Sequence, residues 1–253
     1  MDRLYTDRFA IDYRESQIDS SVLWESHCHA QFELIGVLEG DVSIAIEGRD
    51  YRLNEGQVAI IPPLCYHTIT ANERQRYRRM TVLFDREAIP YVLCPEFAGY
   101  EREPILFFSS RIEELRQICR EERLDFYVPL AESLMVQILY DCLQGRRGRA
   151  DGETDEFLQR TLSYIDSHLH EKISLDDLAR HVSRSKSSFC HLFEGKMSVS
   201  PKQYILQKRM ALANKLIGDG IPPTVAAGRV GYDNYSNFYR MYVKRCGERP
   251  TKK

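Results

Sequence analysis

The hydrophobic period changes once along the chain, and that change most restricts the folds open to it. From Phe32 to Phe84 the chain offers short β-branched or aromatic runs, FELIGVL, VSIAIEG, YRL, QVAIIP and YRRMTVLF. Turn residues punctuate them at Glu39-Gly40-Asp41, Gly48-Arg49-Asp50 and Asn54-Glu55-Gly56. Many short strands at this spacing predict a sandwich or a small barrel. After about residue 110 the period becomes helical. Ile112, Leu115, Ile118 and Cys119 repeat at that spacing, and so do Leu130, Leu134, Ile138 and Leu139 on a helix expected over Pro129 to Gln144. That helix packs on its own domain, with enough apolar surface to meet a second subunit as well.

The chain of 253 residues is long enough for two cores. Its net charge of −2 conceals two unlike parts. Residues 1–150 hold 18 basic and 25 acidic side chains, whereas residues 151–253 hold 17 and 12. From Arg184 onward there are 14 bases against 4 acids, which points to a polyanion as partner of the second half. The segment GRRGRADGE, Gly145 to Glu153, is rich in Gly and charge and reads as the linker. No apolar run approaches the roughly 20 residues of a membrane span. The N-terminal MDRLYTDRFAIDYRES lacks the apolar core of a signal peptide. Seven cysteines without paired spacing suggest free thiols in a reducing compartment. A cytoplasmic protein without membrane contact is expected.

One group in the first half carries chemistry. His27, His29 and Glu33 share parity, so on an extended chain they face one side, and Cys28 faces the other. His67 follows on a later turn and strand. Converging, the four would offer three imidazole nitrogens and a carboxylate, a set suited to Zn, Fe, Ni or Mn. Paired histidines on a strand are more often simple polar contacts. The strings HCHAQFELIGVLEG and GQVAIIPPLCYH resemble the first and second cupin motifs. The resemblance implies a double-stranded β-helix barrel and places the metal ligands of enzymatic cupins at His27, His29, Glu33 and His67. Small-effector binding in the barrel mouth is the leading expectation, and a divalent transition metal is the alternative.

The second half reads as a helix-turn-helix made twice. Ser174-Leu-Asp-Asp177 is a capping-box pattern opening a helix from Leu175 to Val182. After the turn Ser183-Arg184 a second helix is capped at Ser185. Phe189, Leu192 and Phe193 form its inner face, with Lys186, Ser187, Cys190 and His191 elsewhere. Ser200-Pro201 starts a long helix reaching Gly218, with Pro at its first position. At 1.5 Å per residue it spans about 25 Å, enough to hold two reading heads near one DNA turn apart, about 34 Å. Pro222-Pro223 opens a short helix through Val230, and a last helix begins near Asp233-Asn234. Its apolar stripe is Tyr235, Phe238, Tyr239 and Tyr242. Ser236, Asn237, Arg240 and Lys244 lie opposite, where basic and amide groups suit phosphates and base edges.

The strings ISLDDLARHVSRSKSSFCHLFEGKMSVSPKQYI and VGYDNYSNFYRMYVKRCGERP resemble the AraC/XylS family of bacterial transcription regulators. The resemblance implies two helix-turn-helix subdomains on one long helix. It implies base contacts at Ser187, Cys190 and His191 and at Ser236, Asn237 and Arg240. Arg209 matches a family Arg that is structural or faces phosphate. Ala226-Ala227-Gly228-Arg229 departs from the family's bulky Ile before an Ala, which predicts a second head that is less rigid or less selective.

The fold expected is therefore α+β in two domains. Residues 1–108 form a cupin-like effector-sensing barrel and 109–144 a helical dimerisation and coupling segment. Residues 145–153 link these to a double helix-turn-helix domain over 154–253. The function expected is a sequence-specific DNA-binding regulator, not an enzyme. Its DNA contacts fall among Ser185, Lys186, Ser187, Cys190, His191, Tyr235, Ser236, Asn237, Arg240 and Lys244. Double-stranded DNA, a small effector, a second copy and RNA polymerase are the expected partners. A metal-sensing regulator is the alternative, and a metallocupin enzyme fused to a DNA-binding domain ranks below it.

Overall fold

The computed structural model describes residues 3–18, 26–71, 75–93, 97, 104–120, 124–142, 146–147 and 155–251. It divides into two compact units, Met1–Ser26 with Gln31–Gly152, and Glu153–Lys253 with His27–Ala30.

Among its described residues the first unit has ten strands: β1 (Arg3–Tyr5), β2 (Phe9–Ile18), β3 (Phe32–Glu39), β4 (Val42–Ile46), β5 (Arg49–Leu53), β6 (Gln57–Ile61), β7 (His67–Ala71), β8 (Gln75–Phe84), β9 (Ile105–Phe108) and β10 (Arg146–Arg147). Seven form one sheet in the order β1-β2-β8-β3-β6-β9-β10, and β5-β4-β7 form a second. Among the described residues no ladder joins the two sheets, so they stack without closing into a continuous barrel. Side-chain alternation explains the layering. On β3, Ile35 and Val37 point toward the small sheet, where they pack with Val42, Ile44, Tyr51, Leu53 and Ile69. Leu34 and Leu38 point to the other face and meet two helices, α1 (Arg111–Arg120) and α2 (Leu124–Asp141). Gly36 shares that second face, and a Cβ there would lie 2.8 Å from Ile112, so the absent side chain admits α1 close to the sheet.

Three details depart from the sequence reading. Two strands, β1 and β2, precede Phe32; Phe9, Ile11 and Tyr13 alternate inward while Asp12 and Arg14 form an ion pair outside. Helix α2 begins at Leu124, so Pro129 sits within it and removes one backbone bond instead of marking the start. The buried stripe is consequently Ala131, Leu134, Met135, Ile138 and Leu139, and Leu130 is 47% exposed. Of the expected linker Gly145–Glu153 only Arg146 and Arg147 are described, and they pair with Leu106 and Ile105; the rest lies outside the described residues.

The second unit is helical: α3 (Glu156–Ser167), α4 (Leu175–His181), α5 (Lys186–Met197), α6 (Pro201–Gly218), α7 (Pro223–Arg229) and α8 (Tyr235–Cys246). Each start follows from a cap. Asp155, Ser174, Ser185, Ser200 and Asn234 each accept a bond from the backbone N–H three residues on. Helix α7 has no such side chain and opens instead on Pro222-Pro223.

Candidate DNA interface and effector site

Within the second unit the same construction occurs twice, a helix of 7 residues followed by one of 12. The two turns begin alike, the second being one residue longer before its cap. Ser183 at φ 55 and Gly231 at φ 78 take the left-handed conformation, and the next residue bonds back five positions, Arg184 N–H to Ala179 O and Tyr232 N–H to Ala227 O. Such a turn sets the second helix of each pair across the first. Phe189 and Phe193 anchor α5 with no exposed surface, as Phe238 and Tyr242 anchor α8.

That anchoring leaves the opposite faces outward. On α5, Ser187 and His191 are exposed and Cys190 is half-buried. Ser185 is engaged as the helix cap, and Lys186 Nζ pairs with Asp176 Oδ2 on α4 at 2.9 Å. On α8, Ser236, Asn237, Arg240 and Lys244 are exposed. Tyr235, read as part of the inner stripe, is 38% exposed because it stands at the first turn, beyond the Phe238–Tyr242 core. The ten expected DNA-contact residues thus fall on two helix starts and their outer faces. Sequence reasoning left Arg209 undecided. It lies on α6, donates to the Glu171 carbonyl, and places its guanidinium 5.8 Å from the Tyr232 ring. It thereby ties the segment before α4 to the turn before α8. Burial holds its guanidinium below the usual arginine range. A second link is the Lys208–Asp166 ion pair at 3.1 Å, whose lysine is buried between α6 and α3. Neither had a local sequence signal, because both depend on where α6 crosses its neighbours.

In the first unit two of the expected ligands, Glu33 and His67, meet. Glu33 lies on β3, facing the small sheet, and His67 starts β7; they are 6% and 1% exposed. His67 Nε2 and Glu33 Oε2 are 2.8 Å apart. His67 Nδ1 lies 2.9 Å from the Cys65 carbonyl, which only accepts, so Nδ1 carries a proton and donates it. That bond orients the ring and turns Nε2 toward the carboxylate, and the Nε2–Oε2 contact is a hydrogen bond with a proton on one of the two partners. His27 and His29 precede β3 on an irregular segment, with ring centroids 5.6 Å apart. One ligand atom from each of His27, His29, Glu33 and His67 lies within 4.8 Å of the others. Nearby, Glu47 accepts from the Tyr66 N–H at 2.9 Å and is itself buried.

Paired helix-turn-helix units in one chain with a two-sheet domain that holds a buried polar group define a DNA-binding transcription regulator that carries its own ligand-binding domain. Comparison with known proteins gives the family. Residues 10–121 match the AraC-like ligand binding domain and residues 178–253 a helix-turn-helix domain; the chain belongs to the AraC family of regulators, which are not enzymes. It is 26% identical over 231 residues to an uncharacterized HTH-type transcriptional regulator, YobQ, of Bacillus subtilis, covering 90% of this chain and 88% of that one. The MmsAB operon regulatory protein of Pseudomonas aeruginosa is 24% identical, over 96% of this chain and 78% of its own. The melibiose operon regulatory protein of Escherichia coli is 22% identical, over 98% and 88%. No described helix is long and apolar enough to cross a membrane, and the six described cysteines are free thiols.

Proposed function

We infer that the protein is a sequence-specific regulator that senses a small effector in its first unit and reads two adjacent DNA sites with α5 and α8. The observation that carries this reading is the repeated 7-plus-12-residue helix pair, with polar and basic outer faces on both second helices. Helix α6, at 18 residues, spans about 27 Å between the two pairs. Sites close to one DNA turn apart suit that length. The Glu33–His67 pair, buried between the sheets and hydrogen-bonded, supplies the polar contacts for the effector, with His27 and His29 alongside. A second copy docks on α2, whose Leu130 and Tyr140 are exposed, and RNA polymerase is the downstream partner.

Binding of duplex DNA by Lys and Arg side chains releases counterions, so affinity is expected to fall about a thousandfold between 50 and 200 mM salt. Fluorescence anisotropy with a labelled duplex measures this, and a flat salt response contradicts the reading.

A metal-sensing version is favoured by one observation, the clustering of four ligand atoms within 4.8 Å. The donors fit a divalent transition metal: three imidazoles, one carboxylate, and an Nδ1 partner for His67 that leaves Nε2 to ligate. Such an ion would link the four side chains when bound. Elemental mass spectrometry of untagged, chelator-free protein beside His29→Ala tests it. Near-stoichiometric metal lost in the variant supports sensing of metal, and none in either sample leaves an organic effector.

A further inference from the structure

Arg240 and Asn237 stand three residues apart on the exposed face of α8, and Arg240 Nη2 donates to Asn237 Oδ1 at 2.6 Å. A guanidinium has donors and no acceptor, so this bond settles which end of the amide faces the arginine. The oxygen is turned to Arg240, and the two N–H groups of Nδ2 face away. Bidentate recognition of adenine by an asparagine needs the amide oxygen on N6–H and the amide nitrogen on N7. With one lone pair of that oxygen held by a charge-assisted bond and the oxygen turned along the helix to Arg240, the guanidinium fork is the main donor array on the outer edge of the pair. In the major groove the base edge with two adjacent acceptors is guanine, O6 beside N7. Among the described residues the other N–H groups of Arg240 have no protein partner, so the planar fork is available for that edge.

The first head offers no equivalent. Ser187, Cys190 and His191 carry no fork, and Lys186 is drawn to Asp176.

We propose that Arg240 reads a guanine and that Asn237 is its positioning residue, orienting the guanidinium without reading an adenine of its own. The proposal rests on the reading above, in which α8 enters the major groove. Asn237 restricts the rotamers of a long side chain before DNA arrives, so less freedom is lost on binding.

The test is selection of full-length protein on a pool of randomised duplex DNA, with sequencing of the bound fraction. Wild type, Asn237→Ala, Arg240→Ala and Arg240→Lys are compared, followed by titration of the selected site with each base at the position in question. In wild type one position is expected to demand guanine. Arg240→Ala and Arg240→Lys are expected to flatten that position, with a loss of roughly tenfold or more on the guanine site alone. Asn237→Ala is expected to keep guanine as first choice with a weaker preference, and to lose no adenine position. Loss of an adenine position in Asn237→Ala overturns the positioning role. Equal weakening on every sequence in Arg240→Ala makes Arg240 a phosphate contact and overturns the guanine reading, while sequence-specific binding stands. A wild-type pool with no enriched sequence overturns sequence-specific binding itself, and this proposal with it.

Discussion

Gly228 and Gly231 lie three residues apart at the end of α7, and the surroundings assign them opposite roles. A Cβ on Gly228 would meet nothing within 4 Å, and its backbone is ordinary helix. Replacing Gly228 by Ala is expected to stabilise the protein by about 1 kcal/mol, because the unfolded chain loses freedom and the helix gains propensity. A Cβ on Gly231 would lie 2.7 Å from Arg209 Nη2 and 2.9 Å from the Glu171 and Leu169 carbonyls, at a φ of +78°. Gly231→Ala is expected to cost about 2 kcal/mol or more, from the left-handed backbone and the displaced Arg209 bond. Urea unfolding of the two variants beside wild type measures both. The motif around Gly231-Tyr232 was legible in the chain, but its crowding was not, since the crowding atoms come from residues 169, 171 and 209. The run Ala226-Ala227-Gly228-Arg229 predicts a second head that is less rigid or less selective; helix α7 itself forms over Pro223–Arg229, with Ala226, Ala227 and Val230 buried in the cluster it shares with α6 and α8.

At the level of elements, α8 is held at both ends by different chemistry. Asn234 caps its start, and Tyr242 near its end is buried and bonded through its hydroxyl to Asn214 on α6. Burial pushes the Tyr242 hydroxyl up to about 12 from an ordinary 10, with Cys246 and Glu248 adding to the shift. The folded state therefore keeps this proton where the unfolded chain has begun to lose it. Stability is full below pH 10 and declines as pH rises toward 12. Thermal melts in that window are expected to show a shallower decline for Tyr242→Phe than for wild type; parallel declines contradict this. Helix starts in the second unit were legible because Ser174, Ser185, Ser200 and Asn234 announce them locally. The early strands were not. Phe9, Ile11 and Tyr13 alternate, but part of what the charges beside them pair with comes from other strands, as Asp12 pairs with Arg3 and Glu15 with Arg76. The two-residue β10 has no apolar signal at all and is defined by its backbone pairing to β9.

For the whole molecule, the charge asymmetry of the sequence foretold the division of labour: an acidic sheet-and-helix unit and a basic helical one. Of the four candidate ligands, His27, His29 and Glu33 were found by parity, and His67 joined them through a family resemblance. Their convergence depends on His67 arriving from β7 across the gap between two sheets, which no local pattern encodes. The DNA-reading half carries the account's central claim, that two heads joined by α6 read two neighbouring sites. The most direct measurement is sequencing of genomic fragments retained by the full-length protein, with hydroxyl-radical footprinting of those enriched. The account predicts one shared motif with two protected elements centred about 10 base pairs apart, the second of them lost in Arg240→Ala. Retained fragments with no common motif, or a single protected element unaffected by Arg240→Ala, would contradict it.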